Sequence, residues 1–233
     1  MKKIGLVGGM SWRSTQLYYQ YINEYIESNL GGLNSAEIII NSINFFDLEK
    51  VQKEKKWKEA GNIIFKEIKY LEKSGAELIA ICSNTGNESV EKLKRKTSVA
   101  LINIADPVSE YINDKKIKRV GLIGTIHTME ENYIKDAISK KCNVEIFIPG
   151  KSDRNYINKV IYEELCKGIV KKTSKEKYLL IINKLIKSKK LDGFILGCTE
   201  IPMLMSQKDI KIDLINSTKL HAEYLAKKSL QEK

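Results

Sequence analysis

The sequence predicts an α/β protein with two similar Rossmann-like halves, each built on a parallel sheet. Short runs of Ile, Val and Leu alternate with longer stretches of helical spacing, which is typical of parallel sheets covered by helices on both faces. The N-terminal and C-terminal parts of the 233-residue chain also share an internal match. We therefore expect two halves related by a pseudo-two-fold axis, with an active site in the cleft between them.

In the first half, four continuous apolar runs predict buried strands over residues 2–8, 37–44, 77–82 and 99–104. Apolar residues at helical spacing predict helices over 14–30, 57–73 and near 88–95. Gly31-Gly32 and Gly75 are expected to end the first two of these helices. Pro107 is expected to open the helix that follows the fourth strand.

The second half repeats this alternation. Predicted strands cover 119–124, 144–148, 193–197 and 212–215, and predicted helices lie near 129–140, 155–166, 175–189 and 218–230. The alternation favours a second parallel sheet of the same kind.

The internal match relates two cysteines. Residues 3–8 (KIGLVG) align with 119–124 (RVGLIG) at an offset of 116, and the same offset takes Cys82 to Cys198. A looser match pairs 101–103 with 214–216 at an offset of 113. These matches predict two related halves, 1–112 and 113–233, with a helix over 218–233 that could pack back on the first half.

Composition limits the function classes. Lys and Arg number 40 against 29 Asp and Glu, a formal net charge of +11. The basic clusters are short and lie near predicted helix ends without a nucleic-acid motif, which favours a solvated lysine-rich surface over a nucleic-acid partner. The absence of a run of eighteen apolar residues predicts no membrane span, and the start of the chain lacks a signal-peptide pattern, which predicts a cytoplasmic protein.

The cysteine and histidine pattern predicts no metal site. The chain has four cysteines and two histidines, with no C-x-x-C spacing, whereas a zinc site needs about four clustered ligands. Cys142 and Cys166 are interpreted as small buried hydrophobic residues. Cys82 and Cys198 differ because each lies at the end of a predicted strand.

The two strand-end cysteines suggest acid/base chemistry. Ligands of open parallel sheets bind beyond the carboxyl ends of the strands, so one thiol from each half could lie on either side of a substrate. Inversion at a carbon stereocentre uses such a pair, with a thiolate that removes a proton from one face and a thiol that protonates the other. Main-chain N–H groups at the turns after the cysteines could lower a thiol pKa. Hydroxyl, amide and N–H groups of these turns could bind a substrate carboxylate, which makes substrate-binding candidates of Ser83, Asn84, Thr85, Thr199 and Glu200. Glu200 either orients Cys198 or only favours a helix N-terminus.

Further residues are candidates for substrate binding. Met10 follows the first strand and lines either the mouth of the site or only a turn. Thr125 ends the equivalent strand of the second half, so its hydroxyl is expected to face the cleft. No lysine has a recognisable pyridoxal-phosphate context, which favours cofactor-free chemistry, although a lysine Schiff base stays open.

Motifs along almost the whole chain resemble the aspartate/glutamate racemase family. They are Gly8-Gly9-Met10-Ser11-Trp12, Cys82-Ser83-Asn84-Thr85, Gly121-Leu122-Ile123-Gly124-Thr125, Gly197-Cys198-Thr199-Glu200-Ile201 and His221-Ala222. The resemblance implies a cofactor-independent enzyme, usually a homodimer, with Cys82 and Cys198 as the catalytic pair. Gln52 resembles a family position that contacts the substrate, and the alternative is a plain surface amide.

The chain departs from the family pattern at two positions. Asn87 stands where the family commonly has His, and Asn216 stands where it often has Asp. Both departures bear on which substrate fits the site.

The leading hypothesis is therefore a racemase of aspartate or glutamate with a two-base mechanism. Three alternatives stay open: a racemase of other amino acids, a cysteine-dependent isomerase or decarboxylase on the same fold, and a non-catalytic binding protein on a decayed racemase scaffold.

Overall fold

A computed structural model describes residues 1–231. The last two residues, at the end of the predicted helical segment 218–233, lie outside the described residues. The chain forms two compact units, the first comprising residues 1–104 with the segment from His221 onward and the second comprising residues 105–220. Each unit contains a four-stranded parallel sheet, which confirms the predicted fold class.

The first unit contains strands β1 to β4 and helices α1 to α4. The strands are β1 (Ile4–Gly8), β2 (Ile38–Ser42), β3 (Leu78–Ile81) and β4 (Ala100–Ile102), and the helices are α1 (Trp12–Leu30), α2 (Phe45–Lys53), α3 (Trp57–Lys73) and α4 (Val90–Leu93). The strand order is β2-β1-β3-β4. As predicted, α1 ends at Gly31, which adopts a positive φ of 68° and donates its N–H to Glu27 O at 2.8 Å.

The second unit contains helices α5 to α9 and strands β5 to β8. The elements are α5 (Ala105–Asp114), β5 (Arg119–Gly124), α6 (Ile126–Glu130), α7 (Tyr133–Ser139), β6 (Glu145–Phe147), α8 (Lys151–Glu163), α9 (Lys172–Lys189), β7 (Gly193–Gly197) and β8 (Asp213–Asn216). The strand order is β6-β5-β7-β8, so β5 to β8 take the places that β1 to β4 take in the first sheet. A last helix, α10 (Ser217–Ser229), begins in the second unit and continues into the first.

Two local predictions were wrong. The sequence interpretation omitted α2, a short helix in which only Leu48 is fully buried. The single helix expected near 129–140 is divided into α6 and α7, because Glu131 adopts an extended conformation with ψ of 160°.

Both faces of the first sheet are covered by apolar side chains. On one face, Val7, Ile79 and Ile81 pack with residues of α3. On the other face, Ile4, Leu6 and Ala80 pack with residues of α1 and α10. In the second unit, Ile123, Phe194 and Leu196 pack with residues of α8 and α9. The central strands β1, β3, β5 and β7 are buried almost throughout, as their continuous apolar sequences predict. The edge strands of both sheets are partly exposed. No helix within residues 1–231 is long and apolar enough to cross a membrane.

A polar pair lies inside the apolar cluster between α1 and α10. Tyr18 Oη lies 2.8 Å from His221 Nδ1, and His221 Nε2 lies 3.2 Å from Ile102 O. Because a carbonyl oxygen can only accept, Nε2 carries a proton. In the neutral imidazole, Nδ1 is then the acceptor, and Tyr18 donates its hydroxyl hydrogen to it. The side chains of Tyr18 and His221 are completely buried, so the pair joins α1, α10 and the end of β4 inside the first unit.

We expect Tyr18→Phe to lower the free energy of unfolding by about 1–3 kcal/mol, because it leaves the buried Nδ1 of His221 without its donor. Denaturant unfolding measures this change. Tyr19→Phe is the matched control, since the Tyr19 side chain is 52% exposed and its hydroxyl is expected to contribute little. Equal stabilities of the two variants would contradict this role of the buried pair.

Candidate active site

Cys82 lies at the carboxyl end of β3, in the middle of the first sheet. Val7 of β1 pairs with Ile81 of β3, and the Cys82 N–H continues this ladder by donating to Val7 O at 3.0 Å. Ser83 and Asn84 lead into a 3₁₀ turn, Thr85–Ser89. Cys82 is fully buried, and Ser83, Asn84 and Thr85 are nearly so. The structure therefore brings these four predicted site residues together at one sheet edge.

Two side chains hold the main chain around Cys82. Ser14 of α1 donates its hydroxyl hydrogen to Cys82 O at 2.7 Å. Asn87 donates its amide hydrogens to Ile81 O at 3.2 Å and Ser83 O at 2.7 Å. Its Oδ1 accepts from Ile104 N at 3.0 Å.

Two further predicted residues of the first unit lie on other elements. Met10 follows β1 and is buried in the apolar cluster on the α3 side of the sheet, whereas Cys82 belongs to the cluster on the α1 side. Gln52 is half-buried on α2, and its main-chain carbonyl accepts from Lys55 N at 3.0 Å. The substrate contacts expected of these two residues stay predictions.

In the second unit, Thr125 and Cys198 lie side by side at the carboxyl ends of the central strands. Gly124 of β5 pairs with Gly197 of β7. Thr125 and Cys198, the next residue on each strand, are therefore neighbours. The Thr125 hydroxyl oxygen accepts from Thr128 N at 3.2 Å and caps α6. Thr128 Oγ1 in turn lies 2.9 Å from Tyr133 Oη.

Cys198 is accompanied by a buried carboxylate. The Cys198 thiol donates to Glu200 Oε2 at 3.2 Å, and the Thr199 hydroxyl donates to the same oxygen at 2.6 Å. These three residues are at most 5% exposed. A carboxylate in this position can accept the proton of the thiol.

Burial dominates the electrostatics of both thiols. It raises the pKa of Cys82 and of Cys198 above that of an ordinary thiol, because a thiolate is poorly solvated in an apolar interior. The negative charge of Glu200 raises the pKa of Cys198 further. Burial also raises the pKa of Tyr18, and the nearby Cys82 adds to that rise. This rise favours the protonated form of both thiols at neutral pH.

The residues that depart from the family pattern have local roles in the structure. Asn216 accepts from Lys219 N at 3.1 Å through Oδ1, at the start of α10. Asn87 is the amide that holds the main chain around Cys82. The sequence interpretation treated Asn87 only as a missing histidine and gave no role to Ser14. The hydrogen bond from Ser14 to Cys82 O joins residues 68 positions apart, which no local sequence pattern reveals.

Within residues 1–231, no group of three or more His, Cys, Asp or Glu side chains could hold a metal ion.

Comparison with solved structures supports the fold. A candidate Asp/Glu racemase from Yersinia pestis is 37% identical, with a TM-score of 0.91 over 99% of this chain and 100% of that chain. An aspartate racemase homologue from Pyrococcus horikoshii is 32% identical, with a TM-score of 0.84 over 99% and 100% of the two chains. The similarity therefore extends over both units.

Among curated proteins, the glutamate racemase of Aquifex aeolicus is 28% identical over 163 residues, which are 67% of this chain and 60% of that protein. The chain spans 52–60% of the length of this relative and of two further glutamate racemases. The model of the Asp/Glu/hydantoin racemase family matches residues 7–225. A buried cysteine follows a central strand of each parallel sheet, and the family model matches almost the whole chain. This chain therefore belongs to the Asp/Glu/hydantoin racemase family.

Proposed function

We propose that this protein racemises an acidic amino acid, aspartate or glutamate, with Cys82 and Cys198 as the two acid/base groups. The observation that carries the proposal is the equivalent position of the two thiols. Cys82 directly follows β3, and Cys198 directly follows β7. These two strands occupy the same place in the shared strand order of the two sheets. Ligands of parallel α/β sheets bind at this edge.

In the proposed reaction the thiols act on opposite faces of the α-carbon. A thiolate takes the α-proton, and the electron pair of the broken C–H bond is left on the α-carbon and shared with the adjacent carboxyl group. The opposite thiol then donates its proton to the other face and becomes the thiolate. The numbers of protons and electrons are unchanged, and the reverse reaction exchanges the roles of the thiols.

Formation of the first thiolate needs a proton acceptor, because burial raises the pKa of both thiols. On the Cys198 side, the acceptor is Glu200 Oε2, 3.2 Å from the sulfur. The proton moves from sulfur to the carboxylate, which becomes a carboxylic acid. The α-ammonium group of a bound amino acid favours the thiolate further, because an opposite charge nearby lowers a thiol pKa.

The acidic class of substrate is supported by the relatives and by charge. The relatives carry the names glutamate racemase, aspartate racemase homologue and candidate Asp/Glu racemase. A net charge of +11 attracts anionic substrates over long distances. Buried hydroxyl and amide groups beside the cysteines, on Ser83, Asn84, Thr85, Thr125 and Thr199, are the proposed partners of the substrate carboxylates. Met10 and Gln52 complete the proposed binding residues, and a homodimer stays the proposed assembly.

We expect Cys82→Ser and Cys198→Ser each to lower the rate of inversion by about 10²-fold or more, the usual contribution of a general acid or base. Purified protein is incubated with each enantiomer of aspartate and glutamate in D₂O without added cofactor. Chiral chromatography measures inversion, and mass spectrometry measures α-deuterium. Cys142→Ser is the matched control, because Cys142 is also buried and its thiol donates to a main-chain carbonyl, Ile138 O at 3.1 Å. Full activity of both catalytic-pair variants, or release of carbon dioxide by the wild-type protein, would contradict the proposal.

We expect Glu200→Gln to lower kcat by about 10²–10⁴-fold at neutral pH, because an amide cannot take the proton of the Cys198 thiol. The variant keeps nearly the same side-chain shape, so the unfolding temperature serves to monitor the fold. Glu131→Gln, at an exposed position of the same unit, is expected to retain the wild-type rate. A Glu200→Gln variant with wild-type kcat would show that the carboxylate is not the acceptor.

A further inference from the structure

Every carbonyl group around Cys82 is held by a side chain. Ile81 O and Ser83 O accept from the Asn87 amide, and Cys82 O accepts from the Ser14 hydroxyl. Three successive peptide groups are therefore fixed by donors from outside the strand. Because the Cys82 side chain leaves the main chain between these peptide groups, their orientation determines where the thiol points.

Both N–H groups of the Asn87 amide are used by the main chain, so this side chain has no donor left for a substrate. Its two N–H groups donate to Ile81 O and Ser83 O, and its Oδ1 accepts from Ile104 N at 3.0 Å. The residue is 3% exposed. Ile104 is the last residue of the first segment of the first unit, so Asn87 joins the Cys82 turn to the end of that segment.

The second cysteine turn is built differently. The offset of 116 that relates Cys82 to Cys198 places Met203 at the position equivalent to Asn87, and a thioether has no hydrogen to donate. At Cys198, the polar contact is made by the thiol itself, with Glu200 Oε2 at 3.2 Å. The side-chain amide therefore acts on one cysteine turn and not on the other.

We infer that Asn87 is a positioning residue for Cys82 and that its loss impairs proton transfer on one face of the substrate only. This inference rests on the proposed function. Removal of the amide takes away the side-chain donor of Ser83 O and the acceptor of Ile104 N, and it leaves Ile81 O with only the Ser83 N–H at 2.8 Å. The peptide groups on either side of Cys82 are then less firmly held. A displacement of about 1 Å at a reacting group can lower the rate by about 10²-fold, whereas Cys198 keeps its own contacts.

The test follows α-proton exchange from each enantiomer separately, in D₂O, with aspartate and glutamate. Cys82→Ser first identifies the enantiomer whose α-proton depends on Cys82. Asn87→Ala is expected to slow exchange of that same enantiomer by about 10–100-fold, mainly through kcat, while the opposite enantiomer still exchanges through Cys198.

Asn23→Ala is the matched control. Asn23 also bridges two main-chain groups of the first unit, donating to Tyr19 O at 2.8 Å and accepting from Ala36 N at 2.9 Å. We expect this variant to lose stability without favouring exchange of either enantiomer. Ser14→Ala, which removes a single donor to Cys82 O, provides a milder second variant with the same expected bias as Asn87→Ala if the latter does not fold.

The outcomes separate this inference from the proposed function. If Cys82→Ser leaves exchange of both enantiomers unchanged, or if the wild-type protein exchanges neither, the two-base function is wrong and the role of Asn87 falls with it. If Cys82→Ser affects one enantiomer but Asn87→Ala and Ser14→Ala slow both equally or neither, only the positioning role is overturned.

Discussion

The register of the central strand pair in each sheet is the constraint on which the candidate site depends. Val7 pairs with Ile81 in the first sheet, and Gly124 pairs with Gly197 in the second. Because parallel strands in register end together, the residues after them share one edge of the sheet. Apolar side chains cover both faces of the first sheet, so this edge is where buried polar groups find partners. Cys82 and Cys198 take the same place in the two sheets for this reason.

The two cysteine turns then use that edge in different ways. In the first, neutral donors bind the main chain, and the thiol lies among apolar side chains near Tyr18. In the second, a carboxylate binds the thiol directly. We propose that the first turn fixes the position of its thiol and that the second accepts a proton from its thiol. The proposed reaction interconverts two mirror-image substrates, but the two thiols that would act on them have different surroundings.

The sequence was sufficient for the architecture and for the position of the two cysteines at strand ends, but not for their surroundings. Continuous Ile, Val and Leu runs identify the buried central strands, and β5 and β7 have the predicted bounds, each with a glycine as its last residue. The offset of 116 relates Cys82 to Cys198 without any structure. By contrast, the bonds of Ser14 to Cys82 O and of Tyr18 to His221 join residues 68 and 203 positions apart. Such contacts depend on the packing of helices against the sheet, so a sequence pattern does not contain them.

A crystal structure of the protein with aspartate or glutamate bound tests the central claim most directly, by the distances from the α-carbon to the two sulfur atoms. The account predicts that the sulfurs of Cys82 and Cys198 lie on opposite faces of the α-carbon, each about 3–3.5 Å from the position it attacks or protonates. A substrate that contacts one sulfur alone, or that binds away from both strand ends, would contradict it.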